Sequence, residues 1–205
     1  MSVIKGLRAA TARSPTTRKA VTVGTLVSTG GLAAGEDVQS VARKLSAVDR
    51  CIEILSDSMA KLPSFVIDNR SRERLSHDIL YLLNVRPNEA MTPFARKKVL
   101  ETSRLEGGNG YDWIIRDPST GLPKELIPVP WQLVQQWHDG AGRIWYDITH
   151  PLTGELMRLA NEDVCHYKNA TRNGLKGIGT LSRAEDVIAA ARAAQQYDAS
   201  YYQNG

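Results

Sequence analysis

Residues 104–117, RLEGGNGYDWIIRD, contain the point at which the periodicity of the sequence changes. Before Gly107 and Gly108, apolar residues recur every three or four positions, as they do on one face of an α-helix. From Tyr111 onward, short apolar segments are separated by turns and alternate with polar residues, as in half-buried β-strands. The sequence therefore predicts an α+β fold in which helices come first and strands follow.

The first helix is predicted to end at Pro63. Its apolar residues have the spacing of a single helical face and are Val48, Ile52, Leu55, Met59 and Leu62. Cys51 lies in the middle of this helix, on or near the face expected to be buried, where a thiol usually acts as a small apolar side chain. The segment SFVID that follows has the β-branched and aromatic composition of a strand.

Two further helices are predicted before Gly108, separated by a turn at Pro87. Ser76 is a candidate N-cap of the first, and Thr92, followed by Pro93, is a candidate N-cap of the second. The second helix also carries three consecutive basic residues, Arg96, Lys97 and Lys98. We expect this basic cluster on the polar face of the helix, in solvent or at a subunit contact.

Six short strands are predicted from Tyr111 onward, in the segments YDWIIRD, ELIPVP, VQQWH, RIWYDIT, ELMRL and DVCHYK. The turn sequences DPSTG, DGAG and HPLTG favour antiparallel hairpins that follow one another in a meander. All four tryptophans fall in this part of the chain, where we expect them in the core or on a sheet face.

A long helix is predicted within LSRAEDVIAAARAAQQYDASYYQNG, the last part of the chain. Ser182 and Glu185 have the spacing of a capping box at its start. About twenty residues without Pro or Gly would form a rod of roughly 30 Å. Directly before this helix, Gly174, Gly177 and Gly179 are predicted to provide positive-φ freedom at a hinge between the strands and the helix.

The charge of the chain is mildly basic, with a formal net charge of +4 over 205 residues. Such a charge is too small to require nucleic acid or an anionic membrane as a partner. Residues 1–39 hold much of the excess and are rich in Ser, Thr and Gly, so we expect a disordered basic arm. Because an arm of this kind can contact phosphates, a nucleic-acid-binding module is the alternative function.

No pattern in the sequence indicates a catalytic, cofactor-binding or metal site. Gly174 and Gly179 have the spacing of a Walker loop, but Thr180 stands where the phosphate-binding Lys is required. The four histidines and two cysteines lack the spacing of metal ligands, and neither a GxSxG elbow nor a membrane-spanning apolar stretch is present. These observations favour a structural or binding role in a reducing compartment.

Several segments of the chain, taken in order, resemble the portal proteins of tailed bacteriophages. They are SAVDRCIEILSDSMAKLPSFVID, HDILYLLNVRPNEAMTPF, the Gly108, Asn109 and Tyr111 pattern, PKELIPVPWQLV, NEDVCHYK and GLKGIGTL. The resemblance covers about residues 40–205. One departure is Gly179-Thr180, where the family commonly has Ser-Pro.

The resemblance implies a domain division: residues 40–175 as an α+β wing domain, and residues 176–205 as the hinge and first stem helix. The clip, second stem helix and crown of the family are expected to be absent from this chain, which would correspond to the N-terminal half. Arg183 and Arg192 lie on the expected stem helix and are candidate contacts to DNA or to a neighbouring subunit.

The resemblance further implies a non-enzymatic structural protein without cofactors, which forms a homo-oligomeric ring, usually of twelve subunits. Its expected partners are double-stranded DNA passing through the channel, the terminase large subunit, the major capsid protein and a head-completion or adaptor protein, with no membrane. The expected location is the portal vertex of the virion, after assembly in the cytoplasm of a bacterial host.

Overall fold

The computed structural model describes residues 37–151 and 153–204. The helices are α1 (Val38–Lys44), α2 (Ser46–Ala60), α3 (Ile79–Asn84), α4 (Pro93–Gly107), α5 (Thr180–Arg183) and α6 (Glu185–Asn204). The strands are β1 (Val66–Ile67), β2 (Arg74–Leu75), β3 (Asn109–Arg116), β4 (Pro123–Val129), β5 (Val134–His138), β6 (Ile144–Thr149), β7 (Leu156–Ala160) and β8 (Val164–Lys168). The predicted α+β class is confirmed.

The predicted arm falls almost entirely on residues 1–36, which lie outside the described residues. Its last two residues, Val38 and Gln39, already belong to α1. The predicted boundary at residue 40 therefore falls inside α1, whose Val41 and Ala42 are buried in the core.

All six strands predicted after Tyr111 are present, and they pair antiparallel in two three-stranded sheets with the orders β4-β3-β8 and β5-β6-β7. The three predicted hairpin turns connect β3 to β4, β5 to β6 and β6 to β7. The meander is interrupted, however, because β8 pairs with β3 and not with its sequence neighbour β7. The two sheets meet in a core formed by Tyr111, Val129, Tyr146, Ile148 and Val164.

A second core joins the two ends of the described chain. Its buried residues come from α1, α2, α4, α5, α6 and the residue between α1 and α2, and they are Val41, Ala42, Leu45, Ile52, Leu105, Leu181 and Ile188. Burying these side chains against one another is the main term that fixes the beginning of α6 to the N-terminal helices. The first and the last of the described helices thus share one core.

The predicted apolar face of α2 is only partly buried. Its buried residues are Ile52, Ser56 and Ala60, whereas Leu55, Met59 and Leu62 are about half exposed. Cys51 is also exposed, so its predicted burial is wrong. The apolar spacing in the sequence does mark one face of α2. However, α4 packs on the neighbouring face, which carries Ile52, Ser56 and Ala60.

The start of α4 follows the predicted chemistry, whereas the start of α3 does not. The Thr92 hydroxyl accepts a hydrogen bond from the backbone N–H of Ala95 at 3.2 Å, and Pro93 occupies the first turn. Ser76 does not cap α3, because that helix begins at Ile79 and the His77 Nδ1 accepts from the Ile79 backbone N–H instead.

Replacing Thr92 with alanine is expected to lower the free energy of unfolding by about 1 kcal/mol, because one orphan amide at the start of α4 loses its acceptor. Ser76→Ala is the matched control and is expected to change the free energy of unfolding by less than about 0.5 kcal/mol. Urea denaturation of both variants measures the difference. Equal effects would show that the Thr92 hydroxyl contributes nothing as a cap.

Candidate functional site

The segment with the three predicted hinge glycines packs, backbone against backbone, on the end of α4 and the start of β3. We call the contact between residues 106–109 and 177–179 the joint. A Cβ added at Gly177 would lie 2.0 Å from the Gly108 carbonyl oxygen, and one added at Gly179 would lie 2.2 Å from the Glu106 carbonyl oxygen. Only glycine fits at either position, because real Cβ atoms do not approach backbone atoms so closely.

The reason predicted for these glycines is wrong at two of the three positions. Gly174 has a φ of 74°, as predicted, but Gly177 and Gly179 do not have positive φ. Their requirement for glycine comes from close approach of two backbones. The residue at the joint that does have positive φ is Gly108, at 79°, which ends α4 in the left-handed conformation.

The Asn109 side chain holds the two sides of the joint together. Its Oδ1 accepts a hydrogen bond from the Gly177 backbone N–H at 2.7 Å, and its Nδ2 donates to the Gly177 carbonyl at 3.1 Å and the Gly107 carbonyl at 2.9 Å. Asn109 is 1% exposed. One buried amide therefore satisfies both backbone groups of Gly177, which lies 68 positions away in the sequence.

Asn169 forms a second set of contacts across the joint. Its backbone N–H donates to the Gly108 carbonyl at 2.9 Å, and its Nδ2 donates to the Thr180 hydroxyl at 3.0 Å in the first turn of α5. The Asn169 Oδ1 in turn accepts from the Arg104 guanidinium at 3.1 Å. Residues on α4, on the loop after β8 and on α5 are thereby linked in one network.

His166 on β8 extends this network into the sheet core. Its Nε2 lies 2.9 Å from the Asn109 Oδ1, its Nδ1 lies 3.3 Å from the Tyr146 hydroxyl, and its ring stacks on Tyr111 at a centroid distance of 4.4 Å. Because the Asn109 Oδ1 can only accept, Nε2 carries the proton and Nδ1 is left to accept from Tyr146. Burial, assisted by Lys168 and Lys176, lowers the pKa of His166 to about 4.

The free energy of unfolding is expected to fall between pH 6.5 and pH 4 because of His166. Over this interval the unfolded chain binds a proton at the imidazole while the folded chain does not, so acid favours unfolding. We expect a loss of about 1–2 kcal/mol, which allows for screening at a partly buried ring.

His166→Gln retains a donor and an acceptor but cannot titrate in this range, so it isolates the contribution of the imidazole. The difference in unfolding free energy between wild type and variant, measured by urea denaturation at several pH values, is expected to shrink as the pH falls from 7 to 4. A difference that stays constant with pH would contradict a buried neutral imidazole.

A buried ion pair lies beneath the strand that begins at the joint. The Arg96 guanidinium on α4 donates through Nε to the Asp112 Oδ1 at 3.1 Å and forms a second contact with Oδ2. Arg96 is 2% exposed and Asp112 is 0% exposed. The prediction that Arg96 lies on a polar, solvated face is wrong, because α4 packs this side chain against β3 and Asp112 supplies its counter-charge.

The two other members of the predicted basic cluster do lie at the surface, and both are engaged within the chain. Lys97 donates to the Leu62 carbonyl at 2.6 Å, and Lys98 pairs with Asp57 at 2.7 Å. These two lysines therefore join α4 to α2 and to the residue Leu62 that follows it.

Arg183 and Arg192 are separated by the break between the last two helices. Arg183 is exposed on α5, whereas Arg192 is partly buried on α6. The predicted capping box of Ser182 and Glu185 is not formed. Ser182 lies inside the short helix α5, which starts at Thr180, and Glu185 is the first residue of α6. The helical conformation is interrupted at Ala184, and α6 then runs from Glu185 to Asn204.

The described residues hold no candidate metal site. Within residues 37–151 and 153–204, His, Cys, Asp and Glu side chains form no group of three or more that could hold a metal ion. A groove of about 440 Å³ beside α4 has mainly apolar walls and includes Leu83 and Leu100. No helix in these ranges is both long and apolar enough to span a bilayer.

Sequence reasoning missed Asn109, His166 and the Arg96–Asp112 pair as parts of one structure. Asn109 follows the glycine that ends α4, and a buried-strand position with a carboxylate, Asp112, follows three residues later. These were the available signals, but their partners lie elsewhere in the sequence and only the fold brings them together.

Comparison with known proteins assigns the chain to a family. The family model for phage portal proteins matches residues 46–205. The portal protein of Enterobacteria phage HK97 is 24% identical over 167 residues, covering 79% of this chain and 38% of that protein.

Two solved structures share the fold. An HK97 family phage portal protein from Corynebacterium diphtheriae superposes with a TM-score of 0.57 at 22% identity, covering 83% of this chain and 52% of that one. The neck of a native gene transfer agent particle, computed with C12 symmetry, gives a TM-score of 0.63 at 20% identity, covering 83% and 46%. The chain thus spans about half the length of these relatives or less. With the family match extending from the start of α2 through α6, the chain belongs to the phage portal protein family.

Proposed function

We propose that this chain is a non-enzymatic structural subunit of a portal ring, which encloses a channel for double-stranded DNA at one vertex of a capsid. The family match and the shared fold support this function. The related neck structure was computed with C12 symmetry, which supports a ring of twelve copies. Residues 40–175 would form the wing, and residues 176–205 the connection and first stem helix.

The joint is the observation that carries this proposal furthest. A ring requires every copy to present its long helix at the same angle, and a flexible connection would not achieve that. Here the backbone of Gly177 and Gly179 lies directly against residues 106–108, and Asn109 holds both backbone groups of Gly177. The segment predicted as a hinge, which includes Gly174, is thus better suited to act as a fixed connection.

The partners follow from the same role. The ring would be docked by the terminase large subunit during DNA packaging and afterwards by a head-completion or adaptor protein, and it would contact the major capsid protein at the vertex. It would assemble in the cytoplasm of a bacterial host and remain in the virion. The alternative, a nucleic-acid-binding module, rests on residues 1–39, and residues 1–36 lie outside the described residues.

Electron microscopy of the purified gene product tests the ring. We expect closed rings with a central channel and the twelvefold symmetry of the related neck. Deleting the gene from its phage or prophage is expected to give particles without packaged DNA. Monomers under all assembly conditions, together with normal packaging in the deletion strain, would contradict the proposal.

A further inference from the structure

The connection between β8 and α5 lies in the longest stretch of the described chain without an acidic residue. Residues 164–184 contain no Asp or Glu. Their basic residues are Lys168, Arg172, Lys176 and Arg183. We call residues 168–176 the basic loop. Its three cations are exposed, and none of the ion pairs within the described residues involves them, so their charge is not compensated.

The basic loop is held in shape by its own hydrogen bonds. Thr171 and Gly177 form an antiparallel bridge that closes the loop at its base. The Thr171 hydroxyl accepts a hydrogen bond from the Gly174 backbone N–H at 2.9 Å. The Asn173 Oδ1 accepts one from the Lys176 backbone N–H at 3.2 Å. The backbone that carries the cations is therefore ordered before any ligand arrives, which lowers the entropic cost of binding.

The two lysines of the basic loop lie close together although they are eight positions apart. The Lys168 ammonium donates to the Gly174 carbonyl at 2.7 Å, which joins the end of β8 to the turn. Burial is the main cause of the lowered pKa of His166, about 4, and the charges of Lys168 and Lys176 contribute to it. Because the interaction between charges weakens with distance, both ammonium groups lie near this ring. The positive charge of the loop is thus concentrated in one place.

The other side chains of the basic loop favour phosphates over a protein as the ligand. Protein interfaces centre on aromatic and large aliphatic anchors, but within this loop the only large apolar side chain is Leu175, which is 38% exposed. The exposed polar neighbours of the cations are Thr171 and Asn173. Lys and Arg, together with Thr and Asn, are the residues that contact DNA phosphates.

We propose that the basic loop binds the phosphate backbone of double-stranded DNA through its three cations, without reading the base sequence. This inference rests on the proposed portal function, which brings DNA to the protein, and adds the residues that touch it. Arg183, exposed on α5, continues the same basic stretch. However, Glu185 and Asp186 follow it directly and weaken its attraction for phosphates, so the loop and not Arg183 carries the site.

Binding of a short fluorescent DNA duplex to the full chain, followed by anisotropy at several salt concentrations, tests the site. The loop variant is Arg172→Gln, Lys176→Gln. Both side chains are exposed, and the Asn173 contact uses the backbone of Lys176, so the hydrogen bonds within the loop are kept. The matched control is Arg70→Gln, Lys124→Gln, which removes one Arg and one Lys from exposed positions between β1 and β2 and on β4.

We expect the loop variant to reduce the slope of log Kd against log salt by about 2, because each phosphate contact contributes about 1 to the slope. At low salt we expect its affinity for the duplex to fall at least roughly ten-fold, whereas the control variant keeps the slope and affinity of wild type. Residues 1–36 are the same in all three proteins, so any contact that they make with the duplex cancels in the comparison.

Electron microscopy of the same proteins separates this site from the ring. Rings without DNA binding, or with equal losses in the loop and control variants, would overturn the site and leave the ring intact. Monomers whose DNA binding still depends on the loop would overturn the ring and leave the site. If the loop variant kept its DNA affinity but lost binding to polyglutamate, the loop would bind an acidic protein and the proposal would be wrong.

Discussion

Replacing Gly177 with alanine is expected to destabilise the fold by at least about 3 kcal/mol, because the new Cβ would lie 2.0 Å from the Gly108 carbonyl oxygen. The obstacle is backbone on both sides, so no side chain can rotate away to relieve it. Gly179→Ala is expected to have a similar effect through the Glu106 carbonyl oxygen at 2.2 Å. Chemical denaturation measures the loss, and electron microscopy shows whether the variant forms the proposed ring.

Two other glycines provide graded controls. Gly140 has open space around its Cβ position and no positive φ, so Gly140→Ala is expected to change the free energy of unfolding by less than about 0.5 kcal/mol. Gly174 also faces open space but has a φ of 74°, so Gly174→Ala is expected to cost about 1 kcal/mol. If Gly177→Ala lowered the free energy of unfolding no more than Gly174→Ala does, the close backbone contact at the joint would be contradicted.

Removing the Asp112 carboxylate is expected to lower the free energy of unfolding by about 3–5 kcal/mol. The Asp112→Ala variant would leave the Arg96 guanidinium charged, buried at 2% exposure and without its bidentate partner. For a chain of this size the loss corresponds to a fall in Tm of roughly 10 °C. Thermal unfolding followed by circular dichroism measures it.

Asp147→Ala is the matched control, since it breaks an aspartate–arginine pair of similar geometry at the surface. The Arg158 side chain of that pair is 58% exposed, and the expected cost is about 0–1 kcal/mol. A second comparison uses the double variant Arg96→Met, Asp112→Leu, which removes both charges and is expected to be more stable than Asp112→Ala alone. Equal losses for Asp112→Ala and Asp147→Ala would show that burial adds nothing to the pair.

The local features of the fold could be predicted because the signals for them lie within a few residues of one another. The six strands from Tyr111 onward, the hairpin turns and the Thr92 cap all depend on short patterns of alternation, turn residues or capping chemistry. The pairing of β8 with β3 could not be derived in this way. It depends on which edges are left free once β4, β6 and β7 have paired, and that is a property of the whole chain.

The sequence singled out the glycine segment before the last helix but not the contacts that this segment makes. The three glycines before the last helix do lie where the sheets connect to the helices, yet periodicity and turn preference say nothing about a backbone 68 positions away. For the same reason Arg96 looked like one of three surface cations, since its partner Asp112 follows only after the turn into β3. The half-exposed side chains of Leu55, Met59 and Leu62 show the converse limit: an apolar pattern does not say which of its residues the fold will cover.

The joint also has a consequence for how the protein can vary. Residues 109–177 leave the end of α4 and return to it. This segment contains all strands from β3 to β8, and its two ends are joined by the hydrogen bonds between Asn109 and Gly177. The position of the last helices relative to α4 therefore depends on the contacts of the joint and not on the strands in between. Hairpin tips such as the one around Gly140 can lengthen, shorten or be exchanged without redirecting the last helix. Modularity of this kind would let the two sheets diversify while the helical core keeps its geometry.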